Sequence, residues 1–118
     1  MPVRYSSDLA EHHAVRGAAG LFDISHMGEI FIEGKDAASY LDFALVGAAS
    51  EIDIGRAKYS LICNEVGGII DDLIVYRLGQ NAFLVVANAS NREAVVSAME
   101  GRAKDLEVEV RDESDLWV

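Results

Sequence analysis

The apolar residues of this chain change period along its length, and that change constrains the fold more than any single residue does. Side chains repeat every two residues along a strand and about every 3.6 along a helix. GEIFIEG, residues 28–34, reads as a strand between glycines. Ala37, Tyr40, Leu41, Ala44 and Leu45 then fall at i, i+3, i+4, i+7 and i+8, with Asp36 placed to cap the helix and Gly47 to end it. In AKYSLIC, residues 57–63, Ala57, Tyr59, Leu61 and Cys63 share one face at period two. Asn64-Glu65-Val66-Gly67-Gly68 is a turn, residues 69–77 are the next strand, and the two strands read as a hairpin. Gly79-Gln80-Asn81 turns into AFLVVAN. Ser90 and Glu93 have capping-box spacing, which predicts a helix to about Met99. Leu106, Val108 and Val110 alternate with Glu107, Glu109 and Arg111, the pattern of a strand with one wet face.

The resulting order from Gly28 is β-α-β-β-β-α-β. It predicts an α+β domain with a largely antiparallel sheet in the ferredoxin-like manner and helices on one side. Ahead of it, Asp8 and Glu11 have capping-box spacing with Ser7 just before them. Leu9, Ala10, Ala14, Val15 and Ala18 form a weak apolar stripe, Gly20 is a plausible stop, and LFDISHM is an irregular link. The expected division is therefore 1–27 for an N-terminal helix and link, 28–114 for the α+β domain, and 115–118 for the start of a further element. That last element, DLWV, places the only tryptophan, Trp117, one residue from the end, which predicts that the natural protein continues.

A chain of 118 residues fits one domain and can bury roughly 65% of its unfolded surface. With 51% apolar and 25% charged residues it is globular rather than disordered. Lys and Arg total 10 against 20 Asp and Glu, a net charge of -10. Nucleic-acid binders draw their affinity from neutralising phosphates, so that balance argues against a nucleic-acid partner. It argues equally against docking on an anionic membrane. The lone Cys63 forms no internal disulfide, no apolar run reaches the ~20 residues of a membrane span, and MPVRYSSDLAEHH lacks the apolar core of a signal peptide. The expected location is the cytoplasm.

The residues that invite a chemical reading lie in GGIIDDLIVY, residues 67–76. Aspartate is depleted in strands, and an ionised carboxylate buried without donors is costly. Ile69, Asp71, Leu73 and Val75 share one face; Ile70, Asp72, Ile74 and Tyr76 share the other. Both faces are apolar, which predicts a central strand covered on both sides. The structural reading puts the aspartates at the strand's entry, satisfied by water, by a bulge, or by Arg56 or Lys58 on the neighbouring strand. The functional reading is a carboxylate held on a rigid strand at an apolar pocket, orienting or activating a basic nitrogen. Asp72 is the better candidate, because Tyr76 adds a polar-tipped aromatic wall to its face.

Other motifs are weaker. His12 and His13 are neighbours on a helix and diverge. His26 reads as a packed turn histidine, Asp23 and Ser25 as turn residues, and Cys63 as a buried inert thiol. No histidine pair stands at metal spacing, so no metal is expected. No phosphate-binding glycine motif and no G-x-S-x-G is present.

Several stretches together carry a resemblance. MPVRYS, AEHHAVRGAAGLFDISHMGEI, GRAKYSLICNEVGGIIDDLIVYRL and FLVVANASNRE occur in order over nearly the whole chain. They resemble the glycine-cleavage T-protein family, the tetrahydrofolate-dependent aminomethyltransferases. LFDISHMGE and NEVGGIIDDLIVY are its most specific blocks. The resemblance implies transfer of a methylene from the aminomethyl-lipoyl arm of H-protein to tetrahydrofolate, with release of ammonia. It implies that Asp72, the second aspartate of the D-D-L run, is the catalytic carboxylate. It places the folate pocket on Met27, Phe31, Tyr59, Asp72, Ile74 and Tyr76.

Two departures stand out. Ala44-Leu45-Val46-Gly47-Ala48-Ala49 replaces a Leu-Thr-Asn-Asp-like run of the family. The chain also stops well short of the family's length, so the fragment alone is expected to be inactive. The rival readings are the folate domain of a sarcosine or dimethylglycine dehydrogenase or a demethylase, and a non-catalytic α+β interaction module.

Overall fold

The computed structural model describes residues 3–23 and 25–116. Its elements are α1 (Asp8–Gly17), β1 (Gly28–Glu33), α2 (Ala37–Ala44), β2 (Ala57–Cys63), β3 (Ile69–Arg77), β4 (Ala82–Ala87), α3 (Arg92–Arg102) and β5 (Glu109–Asp112), with a 3-10 turn at Ala89–Asn91. The five strands form one sheet in the order β2-β3-β4-β1-β5, and every neighbouring pair is antiparallel. The predicted α+β class and the order of elements are those found.

The sheet has one covered face. Ile30 and Ile32 of β1, Leu73 and Val75 of β3, and Phe83, Val85 and Ala87 of β4 are buried there. They pack with Ala37, Tyr40, Leu41 and Ala44 of α2 and with Val95 and Met99 of α3. Full burial of one such large aliphatic side chain contributes about 1.5–3 kcal/mol. Two polar contacts lock the helices together. The buried Tyr40 hydroxyl donates to the Met99 carbonyl at 2.7 Å. The Arg102 guanidinium donates to the carbonyls of Ala44, at the end of α2, and of Cys63, at the end of β2.

The opposite face of β3 is not covered by the described residues. Asp72, Ile74 and Tyr76 are exposed, which corrects the expectation of a strand buried on both sides. Apolar alternation reports that a face is apolar, not what lies against it.

Local boundaries also move. Ser7, not Asp8, caps α1, accepting from the Ala10 amide at 3.3 Å, while Glu11 accepts from the amides of Tyr5 and Ser6. The helix ends at Gly17 rather than near Gly20, and none of its residues is buried. Helix α3 starts at Arg92, two residues after Ser90, and runs to Arg102 rather than stopping near Met99. Strand β5 is shorter than its alternation implies, because Asp105 turns the chain at φ 65° and leaves Leu106 exposed outside the strand. Cys63 is half-buried beside a bulge rather than buried, and His26 is exposed rather than packed. Trp117 and Val118 lie outside the described residues.

Candidate functional site

The two aspartates at the start of β3 point to opposite faces and have different surroundings. Asp71 is 2% exposed, on the core side. Strand β4 ends at Ala87, and the 3-10 turn folds the chain back so that Asn88 and Asn91 lie against β3. The Asp71 carboxylate accepts three hydrogen bonds from them: Asn88 backbone N at 2.9 Å, Asn88 Nδ2 at 3.0 Å and Asn91 Nδ2 at 2.6 Å. Burial pushes the Asp71 carboxyl up, and the hydrogen bonds from Asn91 and Asn88 outweigh it, so the group is held below the ordinary carboxylate range. The donors are these two asparagines, not Arg56 or Lys58; the Lys58 ammonium reaches the Ala48 carbonyl at 3.5 Å instead.

Asp72 faces the open side. Its Oδ2 accepts from the Tyr59 hydroxyl at 3.0 Å and its Oδ1 from Asn88 Nδ2 at 3.1 Å. The same Nδ2 also donates to the Asp72 backbone carbonyl at 2.9 Å. The hydrogen bond to Asp72, with burial and the nearby carboxylate charges, raises the Tyr59 phenol above its ordinary pKa, so it remains a donor. Asp72 is thus aimed by two donors while still exposed, and a carboxylate has acceptor capacity beyond two bonds.

The sheet register shows what surrounds it. One row across the open face reads Tyr59, Ile74, Val86 and Glu29. The next reads Ala57, Tyr76, Leu84, Phe31 and Arg111. Neighbouring strands are about 4.8 Å apart, so β2, β3 and β4 together offer a platform roughly 10 Å wide. Tyr59 is 63% exposed, and Ile74 and Tyr76 are 39% exposed. Five of the expected site residues, Phe31, Tyr59, Asp72, Ile74 and Tyr76, therefore lie on one face. Met27 is half-buried in the link one residue before β1, outside the alternation that would fix its direction. The arrangement is an apolar and aromatic surface with one oriented carboxylate at its end. Such a surface can seat a flat ring system and accept from an N–H or stabilise a cationic nitrogen beside it.

Three residues of the site escaped the sequence reading. Asn88 and Asn91 stand three apart directly after a strand, where asparagine reads as ordinary turn chemistry. Only the return of that turn onto β3 reveals their partners. Glu29 lies on the platform row by the same alternation that places Phe31 there. Its Oε2 is buried with no hydrogen-bond partner among the described residues. In the link before β1, Asp23 Oδ1 accepts from the Ser25 amide at 3.0 Å and hydroxyl at 2.5 Å, a local turn. Among the described residues, no group of three or more His, Cys, Asp or Glu side chains is gathered to hold a metal ion.

Comparison with known proteins adds to this geometry. The family model of the GCVT N-terminal domain matches residues 1–118. The aminomethyltransferase of Corynebacterium jeikeium is 59% identical over 115 residues, which cover 98% of this chain and 30% of that protein. The aminomethyltransferase of Thermus thermophilus is 43% identical over 115 residues, covering 98% of this chain and 33% of its own. The crystal structure of glycine cleavage system aminomethyltransferase T from Bartonella henselae superimposes with a TM-score of 0.76 at 43% identity, covering 79% of this chain and 26% of that one. The chain thus spans about a third of the length of the curated relatives it matches.

Proposed function

The chain belongs to the GCVT N-terminal domain family, and on that footing we propose that it is the folate-binding part of a tetrahydrofolate-dependent aminomethyltransferase. In this reading residues 28–114 are the folate-binding-type domain, and 1–27 belong with a neighbouring part of the protein. The reaction moves the methylene of an aminomethyl group, carried on the lipoyl arm of H-protein, to tetrahydrofolate and releases ammonia. The protein acts in the cytoplasm, without a metal. Among the described residues no helix is long and apolar enough to cross a membrane.

The observation that carries the proposal is the Asp72 carboxylate, oriented by Tyr59 and Asn88 at the end of the open aromatic face. Folate is a flat heterocycle whose ring nitrogens are weak nucleophiles. Phe31, Ile74 and Tyr76 give its ring an apolar seat, and Met27 closes the pocket from the link. Asp72 accepts from the ring-side amine, holds it in attacking geometry and stabilises positive charge as the new C–N bond forms. An anion does this best where water is excluded, and the open face gains that dryness when a ligand and the rest of the protein cover it. Tyr59 keeps the carboxylate from rotating away.

The test uses the full-length protein. Asp72→Asn keeps the shape and removes the charge. Turnover with aminomethylated H-protein and tetrahydrofolate should fall by about 100-fold or more, while circular dichroism stays unchanged. Unchanged turnover would remove Asp72 from the mechanism. Calorimetry with tetrahydrofolate on the same protein separates this reading from a non-catalytic module, which would show no binding heat. The 118-residue chain alone should turn over far more slowly than the full protein, and equal rates would overturn its description as a part.

A further inference from the structure

The proposed chemistry uses Asp72 and leaves Asp71 unexplained. Asp71 is buried, it accepts three hydrogen bonds, and two of them come from the residue that also holds Asp72. We propose that Asp71 is a positioning residue: it fixes the polarity and rotamer of the Asn88 side chain, and through Asn88 it aims the Asp72 carboxylate. This rests on the reading of Asp72 as the reacting carboxylate.

An asparagine side chain can sit in either of two senses. Its carbonyl and NH2 ends are nearly the same shape and opposite in hydrogen-bonding sense. An amide left to itself can turn either end toward Asp72, and its carbonyl end would repel a carboxylate. Here three acceptors converge on the one nitrogen: Asp71 Oδ1 at 3.0 Å, the Asp72 carbonyl at 2.9 Å and Asp72 Oδ1 at 3.1 Å. Asp71 is the acceptor that also grips the Asn88 backbone, at 2.9 Å through its other oxygen. One carboxylate thus fixes both the main chain and the side-chain end of Asn88, with Asn91 bracing it from the next turn at 2.6 Å.

Only an acceptor on both oxygens meets that demand. An asparagine at position 71 has one NH2 end. Turned one way it meets the Asn88 and Asn91 side-chain N–H groups; turned the other way it meets the Asn88 backbone N–H. Both orientations set donor against donor. Asn88 then keeps only its two Asp72 acceptors and loses the anchor on its main chain and side-chain end, so its hold on the Asp72 carboxylate loosens. The adjacency of the two aspartates follows from this. Neighbours in a strand point to opposite faces, so one can be buried as an anchor while the next reaches the ligand, and a single asparagine at the sheet's end touches both.

A merely structural aspartate would stabilise the corner and act on Asp72 only through its charge, with or without Asn88. The two roles are separated by comparing Asp71→Asn, Asn88→Ala and the double variant in the full-length protein. The readouts are the carbon-detected NMR titration of the Asp72 carboxyl without substrate, and the pH dependence of kcat/KM. Replacing Asp71 also removes a neighbouring negative charge, which by itself lowers the Asp72 midpoint; that part is the same in both backgrounds. The positioning part exists only while Asn88 is present. The shift caused by Asp71→Asn should therefore lie higher, by about one pH unit, in the Asn88 background than in the Asn88→Ala background. The acid limb of kcat/KM should move in the same direction. Equal shifts in the two backgrounds overturn the proposal.

The unmutated protein supplies a check that no folding defect can spoil. The two Asn88 side-chain N–H resonances should be separated, slow to exchange with water and responsive to the Asp72 titration. A rapidly exchanging pair insensitive to that titration also overturns it. Because the NMR readouts need no turnover, they hold or fail independently of Asp72→Asn. Retained turnover in that variant would remove the mechanism and leave the Asp71–Asn88–Asp72 linkage standing.

Discussion

At the residue scale the protein is organised by what neighbouring carboxylates are given to hold. Asp71 shows the sign of the effect on stability. Burial pushes its carboxyl up, and the Asn91 and Asn88 hydrogen bonds pull it down further, so its folded pKa lies below the ordinary value. Such a group contributes stability that is fully present above the ordinary carboxylate range, near pH 4, and is lost as pH falls through the folded value. Denaturant melts of wild type and Asp71→Asn should differ most near neutral pH and converge as pH drops below about 4; a gap that does not narrow contradicts the assignment. Tyr40 makes a second test. Tyr40→Phe leaves the Met99 carbonyl, in the core between α2 and α3, without its hydroxyl donor. A loss of about 1–2 kcal/mol is expected from chemical denaturation. Strand parity made the split between Asp71 and Asp72 legible in the sequence. Their partners were not legible, because Asn88 lies 16–17 positions away and reads locally as a turn residue.

At the element scale the periods read for α2 and β3 carry through, and the side-chain caps read at Asp36 and Ser90 do not. All five apolar positions read for α2 are buried or nearly so, and β3 spans the expected 69–77. The predicted cap at Ser90 fails because the chain spends Ala89–Asn91 in a 3-10 turn and gives the Asn91 amide to Asp71 rather than to its own helix. Tertiary demand overrides local preference there. Asp36 behaves similarly: it makes no side-chain cap bond and accepts instead from the Glu107 amide at 2.9 Å, tying the entry of α2 to the approach of β5. Beside it, Gly34 adopts φ +142°, and a Cβ added there would stand 2.2 Å from the Glu107 carbonyl oxygen and 2.8 Å from Val108 Cα. Both neighbours are backbone and cannot swing aside. Gly34→Ala should therefore cost about 3 kcal/mol or more and lower the thermal midpoint by many degrees, whereas Gly101→Ala, with nothing near its added carbon, should change it little.

At the scale of the whole molecule the sheet is two-sided in composition and one-sided in packing. The helices cover the face of Ile30, Val75 and Val85, while Tyr59, Ile74 and Tyr76 stand open opposite them. A 118-residue preparation of this chain should bind an environment-sensitive apolar dye, and Ile74→Lys should weaken that signal severalfold without unfolding the protein. Undiminished fluorescence would place the exposed apolar surface elsewhere, on α1 or the link. What the sequence by itself determined was the list of elements, the α+β class and the parity that assigns Asp72, Ile74 and Tyr76 to one side. Those follow from backbone geometry, which makes side-chain direction a local property of a strand or helix. What only the tertiary structure decided was which face is covered, where the helices end, and that Asn88 joins two carboxylates across the edge of a strand. Those depend on contacts between residues far apart in the chain, and no local period records them.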